Sequence, residues 1–170
     1  MNVLYQVDAT GVPFDEALET ALEFSDISGL ESKGSERASD ARDYGKLLAV
    51  GVRENREELD GFIAKLAEGW TLDRQPAVDR NILRLAIYEI KYMDSVPPIV
   101  AVDEAVELAK IYSTEESGKF VNGLLAGYLR DYTGHPELDS GPTEMLKQVQ
   151  HDIASHDLKT EETEIVSEDS

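Results

Sequence analysis

At 170 residues the chain is long enough for one domain with an appendage, or for two small subdomains around a shared core. It has no cysteine, which removes disulfides and thiolate metal sites. It also has no apolar run near the roughly 18–20 residues of a membrane span and no signal-peptide pattern at its start, so a soluble, cytoplasmic protein is expected. The formal net charge of −19 divides as 15 acidic and 7 basic residues in 1–69, 10 and 7 in 70–132, and 10 and 2 in 133–170. That balance excludes a simple nucleic-acid binder, because neutralising phosphate takes Lys and Arg. Any site for an acidic ligand belongs in 70–132, the least acidic segment.

Taken in chain order, residues 1–9 read as the last turns of a helix with Val3, Leu4 and Val7 on one face, stopped by Thr10-Gly11. A second helix opens at Pro13, with Asp15 and Glu16 complementing its N-terminal dipole and Phe14, Leu18, Ala21 and Leu22 as its stripe. Residues 25–37, polar with two glycines, read as a surface loop. From Ser39 to Ala67 runs one long amphipathic pattern through Tyr44, Leu47, Leu48, Gly51, Val52, Asn55, Leu59, Phe62, Ile63 and Leu66. Gly51 lies on that stripe and points to close helix contact, with a kink there as the alternative.

Three further helices follow. Residues 78–93 are apolar on almost every side, as expected of a helix in the middle of a bundle. Residues 99–112 and 117–132 each carry apolar positions at 3–4 spacing. These three bury one another's stripes, so the expected fold class is all-α, a compact bundle of six to seven helices. Asp79, Arg80 and Arg84 stand as charges on the most apolar helix and are expected to reach a surface or a partner. Residues 133–170 are polar, acidic and poor in large apolar groups, the composition of a disordered tail, which puts the domain boundary near Gly134.

The chemistry expected of an enzyme is missing. All three histidines, His135, His151 and His156, fall in the tail, and the five-residue step between the last two does not suit a one-face zinc pair. No phosphate-binding glycine motif occurs, and no cofactor or metal site is expected. Asp103, Glu104 and Glu107 sit in the first turns of a helix, where the dipole stabilises acids. One set of residues points to a ligand. Lys119-Phe120 follows TEES beside Tyr112, and aromatics with a lysine at a helix–helix corner suit single-stranded RNA. The alternative is a structural staple at the helix start.

The segments DRNILRLAIYE, VPPIVAVDEAVELAK and KFVNGLL, in this order and spacing, resemble the bacterial transcription antitermination factors of the NusB family. The likeness extends back through YGKLLAVGV to LYQVD and covers residues 2–132. It implies two three-helix halves and no enzyme activity. It implies pairing with NusE, a small-subunit ribosomal protein, and binding of boxA RNA from ribosomal RNA leaders within an RNA polymerase antitermination complex; it leaves a homodimer open. The resemblance puts Tyr5, Tyr112, Glu116, Lys119 and Phe120 at or near RNA, and Asp79 and Arg80 at the NusE contact.

Members of this family usually carry an arginine-rich segment before LYQ. This sequence starts at Met1-Asn2, so either the true start lies upstream of Met1 or weakened RNA binding is expected, and a non-catalytic interaction module of the same fold is the competing reading. The tail is expected to be dispensable: ordering it would cost on the order of 1–2 kcal/mol per residue, more than its few apolar groups offset. Truncation after Gly134 should leave the thermal midpoint within about 5 °C of the full chain by calorimetry, and a larger drop would show that the tail packs on the domain.

Overall fold

A computed structural model describes residues 1–27, 35–67 and 69–132. Among the described residues there are seven α-helices and no strand: α1 (Asn2–Thr10), α2 (Phe14–Ile27), α3 (Ser35–Glu54), α4 (Arg56–Leu66), α5 (Ala77–Tyr92), α6 (Pro98–Tyr112) and α7 (Glu115–Tyr132), with a 3-10 turn at Leu72–Arg74 before α5. None of these helices is long and apolar enough to cross a membrane. The chain divides into two compact units, Met1–Tyr128 and Leu129–Ser170. Of the second unit only the last turn of α7 is described, and the expected acidic tail lies outside the described residues.

Within the first unit α5 is the hub. It packs on α1, α3, α4 and α6, as its nearly continuous apolar surface requires. Ile82, Leu83, Ala86 and Ile87 are all but inaccessible. Leu4 of α1, Val52 of α3, and Leu59 and Ile63 of α4, the helices that pack on α5, are buried as well, as are Val121 and Leu125 of α7. The α5–α6 contact is the most extensive. Ala101, Ala105 and Ala109, spaced by four and all buried, give α6 a narrow face on which a neighbour can lie close. At the other end α1, α2 and α3 contact one another pairwise, forming the N-terminal three-helix half.

The helix ends follow from local chemistry. Gly11, at φ 72°, closes α1 in the left-handed conformation and donates its N–H to the Val7 carbonyl at 3.1 Å. Pro98 opens α6 at a position where a missing N–H does no harm.

Two expectations need correction. The single helix over 39–67 is two, α3 and α4, broken at Asn55 with φ −104° and ψ 14°. The Asn55 side-chain amide donates to the Gly51 carbonyl at 2.8 Å, the same oxygen that accepts the Asn55 backbone N–H at 3.1 Å. Such back-bonding loosens a helix. Glu57 and Glu58 then favour a fresh N-terminus through its dipole. The apolar steps continue across the break, so periodicity alone does not reveal it. The loop over 25–37 is also shorter than expected, since α2 runs to Ile27 and α3 begins at Ser35.

Gly51 is a contact position and not the kink. A Cβ built there would stand 2.1 Å from the Tyr88 ring of α5. Gly45, in the same helix, has nothing within 4 Å of its would-be Cβ. Gly45→Ala should therefore stabilise the protein by about 0.5–1 kcal/mol through helix propensity. Gly51→Ala, with the same propensity gain, should instead destabilise by about 1–3 kcal/mol through overpacking. Urea unfolding of the two variants side by side checks this; equal effects would show that Tyr88 swings aside freely.

Candidate functional site

The corner between α6 and α7 gathers four of the residues expected near RNA. The α6 helix ends at Tyr112, and the Ser113 N–H closes it on the Ala109 carbonyl at 2.9 Å. Thr114 then caps α7: its hydroxyl accepts the Ser117 N–H at 3.0 Å, a contact worth about 1 kcal/mol. The buried Ser117 hydroxyl also lies 2.9 Å from the Ser113 hydroxyl and 3.0 Å from that of Thr114. Gly118 lets the two helices approach, since a Cβ there would stand 2.9 Å from Lys110 Cγ and 3.7 Å from the Val106 carbonyl oxygen. A short, internally bonded turn thus sets the directions of the side chains on either side of it.

Outside this frame Tyr112 is 55% exposed, and Glu116 and Lys119 are exposed with it. Phe120 is half-buried, its ring 4.6 Å from that of Trp70 at 63°. Trp70 is the residue that sequence reasoning missed; Gly69-Trp70 reads only as the end of a helix. Tyr5, exposed on α1, stands on a different element from the corner. Lys110 is paired with Glu107 at 2.7 Å, so Lys119 is the corner's cation directed at solvent. Glu115 and Glu116 occupy the first turn of α7, where the helix dipole favours them. The three acids Asp103, Glu104 and Glu107 lie off the buried face of α6, and no group of acids or histidines among the described residues could hold a metal ion.

The start of α5 differs from expectation. Asp79 and Arg84 do not reach the surface; they are 1% and 3% exposed. Arg84 finds its partners inside the chain. Its guanidinium makes a two-pronged contact with Asp60 of α4 at 2.7 and 3.0 Å and donates to Asp8 of α1 at 2.7 Å and to Asn81 at 2.9 Å. Asp8 also meets Arg56 at 3.0 Å and Arg80 at 3.2 Å. Arg80, partly exposed, further donates to the carbonyls of Leu72 at 2.6 Å and Gln75 at 3.3 Å. Asp79 finds no hydrogen-bond donor among the described residues. It is the third residue of α5, a position from which a carboxylate reaches back to the N-cap N–H. Here the N-cap is Pro76, which has none.

Burial alone would raise the Asp8 carboxyl, but the hydrogen bond and charge of Arg84, with Arg56 and Arg80, hold it below its ordinary 3.8. Burial would likewise lower Arg84, and Asp60 and Asp8 raise it above its ordinary range instead. A depressed folded-state carboxyl contributes stability that is present above the unfolded value and lost as pH falls through the folded one. Asp8→Ala should therefore cost about 3–5 kcal/mol at pH 7, because it strands buried positive charge. The gap between variant and parent should narrow below about pH 3.8. Chemical denaturation at pH 7 and pH 3 measures both; a gap that stays constant with pH would show that the carboxylate's charge is not what matters.

The NusB family model matches residues 1–130. The transcription antitermination protein NusB of Ruminiclostridium cellulolyticum is 42% identical over 144 residues, covering 82% of this chain and 92% of that protein. The fold matches a crystal structure of the antitermination factors NusB and NusE in complex with double-stranded RNA, with a TM-score of 0.65 and 33% identity over 77% of this chain and 90% of that one. It also matches NusB of T. maritima, with a TM-score of 0.61 and 36% identity over 76% and 84%. Family match, identity and fold agree over the same residues: the chain belongs to the NusB family.

Proposed function

We propose that this protein is a transcription antitermination factor that pairs with NusE, binds boxA RNA of ribosomal RNA leaders and helps RNA polymerase read through terminators. The observation that carries the reading is the agreement, at 33% identity and a TM-score of 0.65, with a chain of a complex of NusB and NusE with double-stranded RNA. The chemistry of the α6–α7 corner supports it. An exposed tyrosine, an exposed lysine and a half-buried phenylalanine on a rigid turn are the groups that stack unpaired bases and meet phosphate. On this reading Tyr112, Lys119 and Phe120 contact RNA, Glu116 flanks them, and Tyr5 adds a contact from α1. The relatives favour this reading over an interaction module that has lost RNA.

Pairing with NusE is assigned to the first turns of α5. Asp79 is buried and Arg80 donates to this chain's own carbonyls and to Asp8. These two therefore shape the turn that the partner meets more than they reach across to it.

Residues 1–132 carry 25 acids against 14 bases, a surface that repels phosphate at long range. A basic partner supplies the missing charge. NusE should raise boxA affinity at least tenfold, about 1.4 kcal/mol of coupling. Lys119→Glu should weaken the ternary complex by roughly tenfold, as expected when a phosphate-facing cation becomes an anion, and leave protein pairing unchanged. Anisotropy titrations of labelled boxA RNA at fixed salt, with and without NusE, test both. Equal affinity in the two conditions would rule out a shared RNA surface.

A further inference from the structure

We infer that Trp70 is a base-stacking residue of the RNA site, forming with Phe120 a two-ring platform beside Lys119; the inference rests on the RNA-binding function proposed above. Trp70 is 37% exposed, and its contact with Phe120 is edge-to-face, at 4.6 Å and 63°. Such a contact covers part of the indole and leaves the rest open to solvent. Phe120 follows Lys119 directly on α7, so the indole adjoins the aromatic and the cation of the proposed RNA corner. Stacking is sequence-tolerant, because every base has a π-face, and a flanking cation adds phosphate attraction.

The ring is also held in place before any ligand arrives. Gly69, at φ 75°, turns the chain after α4. The Trp70 N–H donates to the Ala67 carbonyl at 3.0 Å. The Trp70 carbonyl accepts from the side chain of buried Gln75 at 3.1 Å. An aromatic fixed on both sides of its backbone loses little freedom on stacking, which is what makes it a good platform. A ring needed only to fill the core would be covered, as Ile82, Leu83 and Ile87 of α5 are.

The chain contains one tryptophan, so 5-fluorotryptophan placed in this chain alone gives a single fluorine resonance. The full chain, paired with unlabelled NusE, is titrated with single-stranded boxA RNA while anisotropy follows binding. The resonance should move upfield in step with binding. Trp70→Ala should weaken binding by roughly tenfold, and Trp70→Phe should restore it to within about threefold. Thermal midpoints of both variants are measured alongside. A lower midpoint with unchanged RNA affinity makes Trp70 a structural staple and overturns the inference. Normal RNA binding with an unmoved resonance overturns it and leaves the proposed function standing. A shift produced by NusE alone, with no further change on adding RNA, assigns the ring to the protein partner and also overturns it. No RNA binding by the unmodified pair defeats the proposed function, and the inference with it.

Discussion

Arg84 carries a charge into the interior of a helical bundle, and the arrangement of three helices follows from how that charge is met. Desolvating a guanidinium costs several kcal/mol unless good geometry and further hydrogen bonds compensate. Asp60 meets it with a two-pronged contact and Asp8 with a third bond, so α1, α4 and α5 have one register in which all these partners align. Apolar packing would tolerate small slides of one helix on another; a forked contact at 2.7 and 3.0 Å does not. The network also gives α1, only nine residues long and too short to be stable alone, a polar anchor in addition to Val3 and Leu4.

This explains which parts of the molecule a reader of the sequence can find. The helices of the C-terminal half are legible because each apolar stripe repeats locally: α5, α6 and α7 all fall within two residues of their expected bounds. The central place of α5 is legible too, since a helix apolar on nearly every side has nowhere else to go. The break at Asn55 is not, because Val52, Leu59 and Ile63 keep helical spacing on both sides of it. Its signal is chemical, an asparagine with two glutamates two and three positions on, and weaker than the periodicity it interrupts. The partners of Arg84 are less visible still. Asp8 lies 76 positions away, and nothing local marks it as buried when most acids of this chain are solvated.

The site divides along the same line. Tyr112, Lys119 and Phe120 fall at a junction of two recognisable helices, so their neighbourhood follows from the helix assignments. Trp70 belongs to a connection with no periodicity, and its contact with Phe120 spans 50 positions. Asp79 is the converse case. Its position in the sequence suggests a surface charge, and only the burial of the first turn of α5 reveals otherwise. Of the expected surface or partner, Arg84 takes a partner, inside the chain where α1, α4 and α5 converge, while Asp79 is buried without a hydrogen-bond donor among the described residues.

An acidic protein can hold RNA only if its few attractive contacts are presented without further loss of entropy. Long-range electrostatics work against approach here, so affinity has to come from short-range stacking and from a basic partner. On the proposed reading the α6–α7 turn meets the first need through the Thr114 cap, the Ser113–Ser117 contact and the absence of a side chain at Gly118. Each removes a freedom that would otherwise be lost on binding. For the second need, on the proposed reading, a start of α5 whose arginines already pair within the chain needs little reorganisation when a basic protein arrives, and the net acidity of residues 1–132 as a whole draws that protein in. Rigidity at the corner and acidity over the rest of the surface are therefore complementary: one makes stacking effective, the other recruits the positive charge that stacking alone cannot replace.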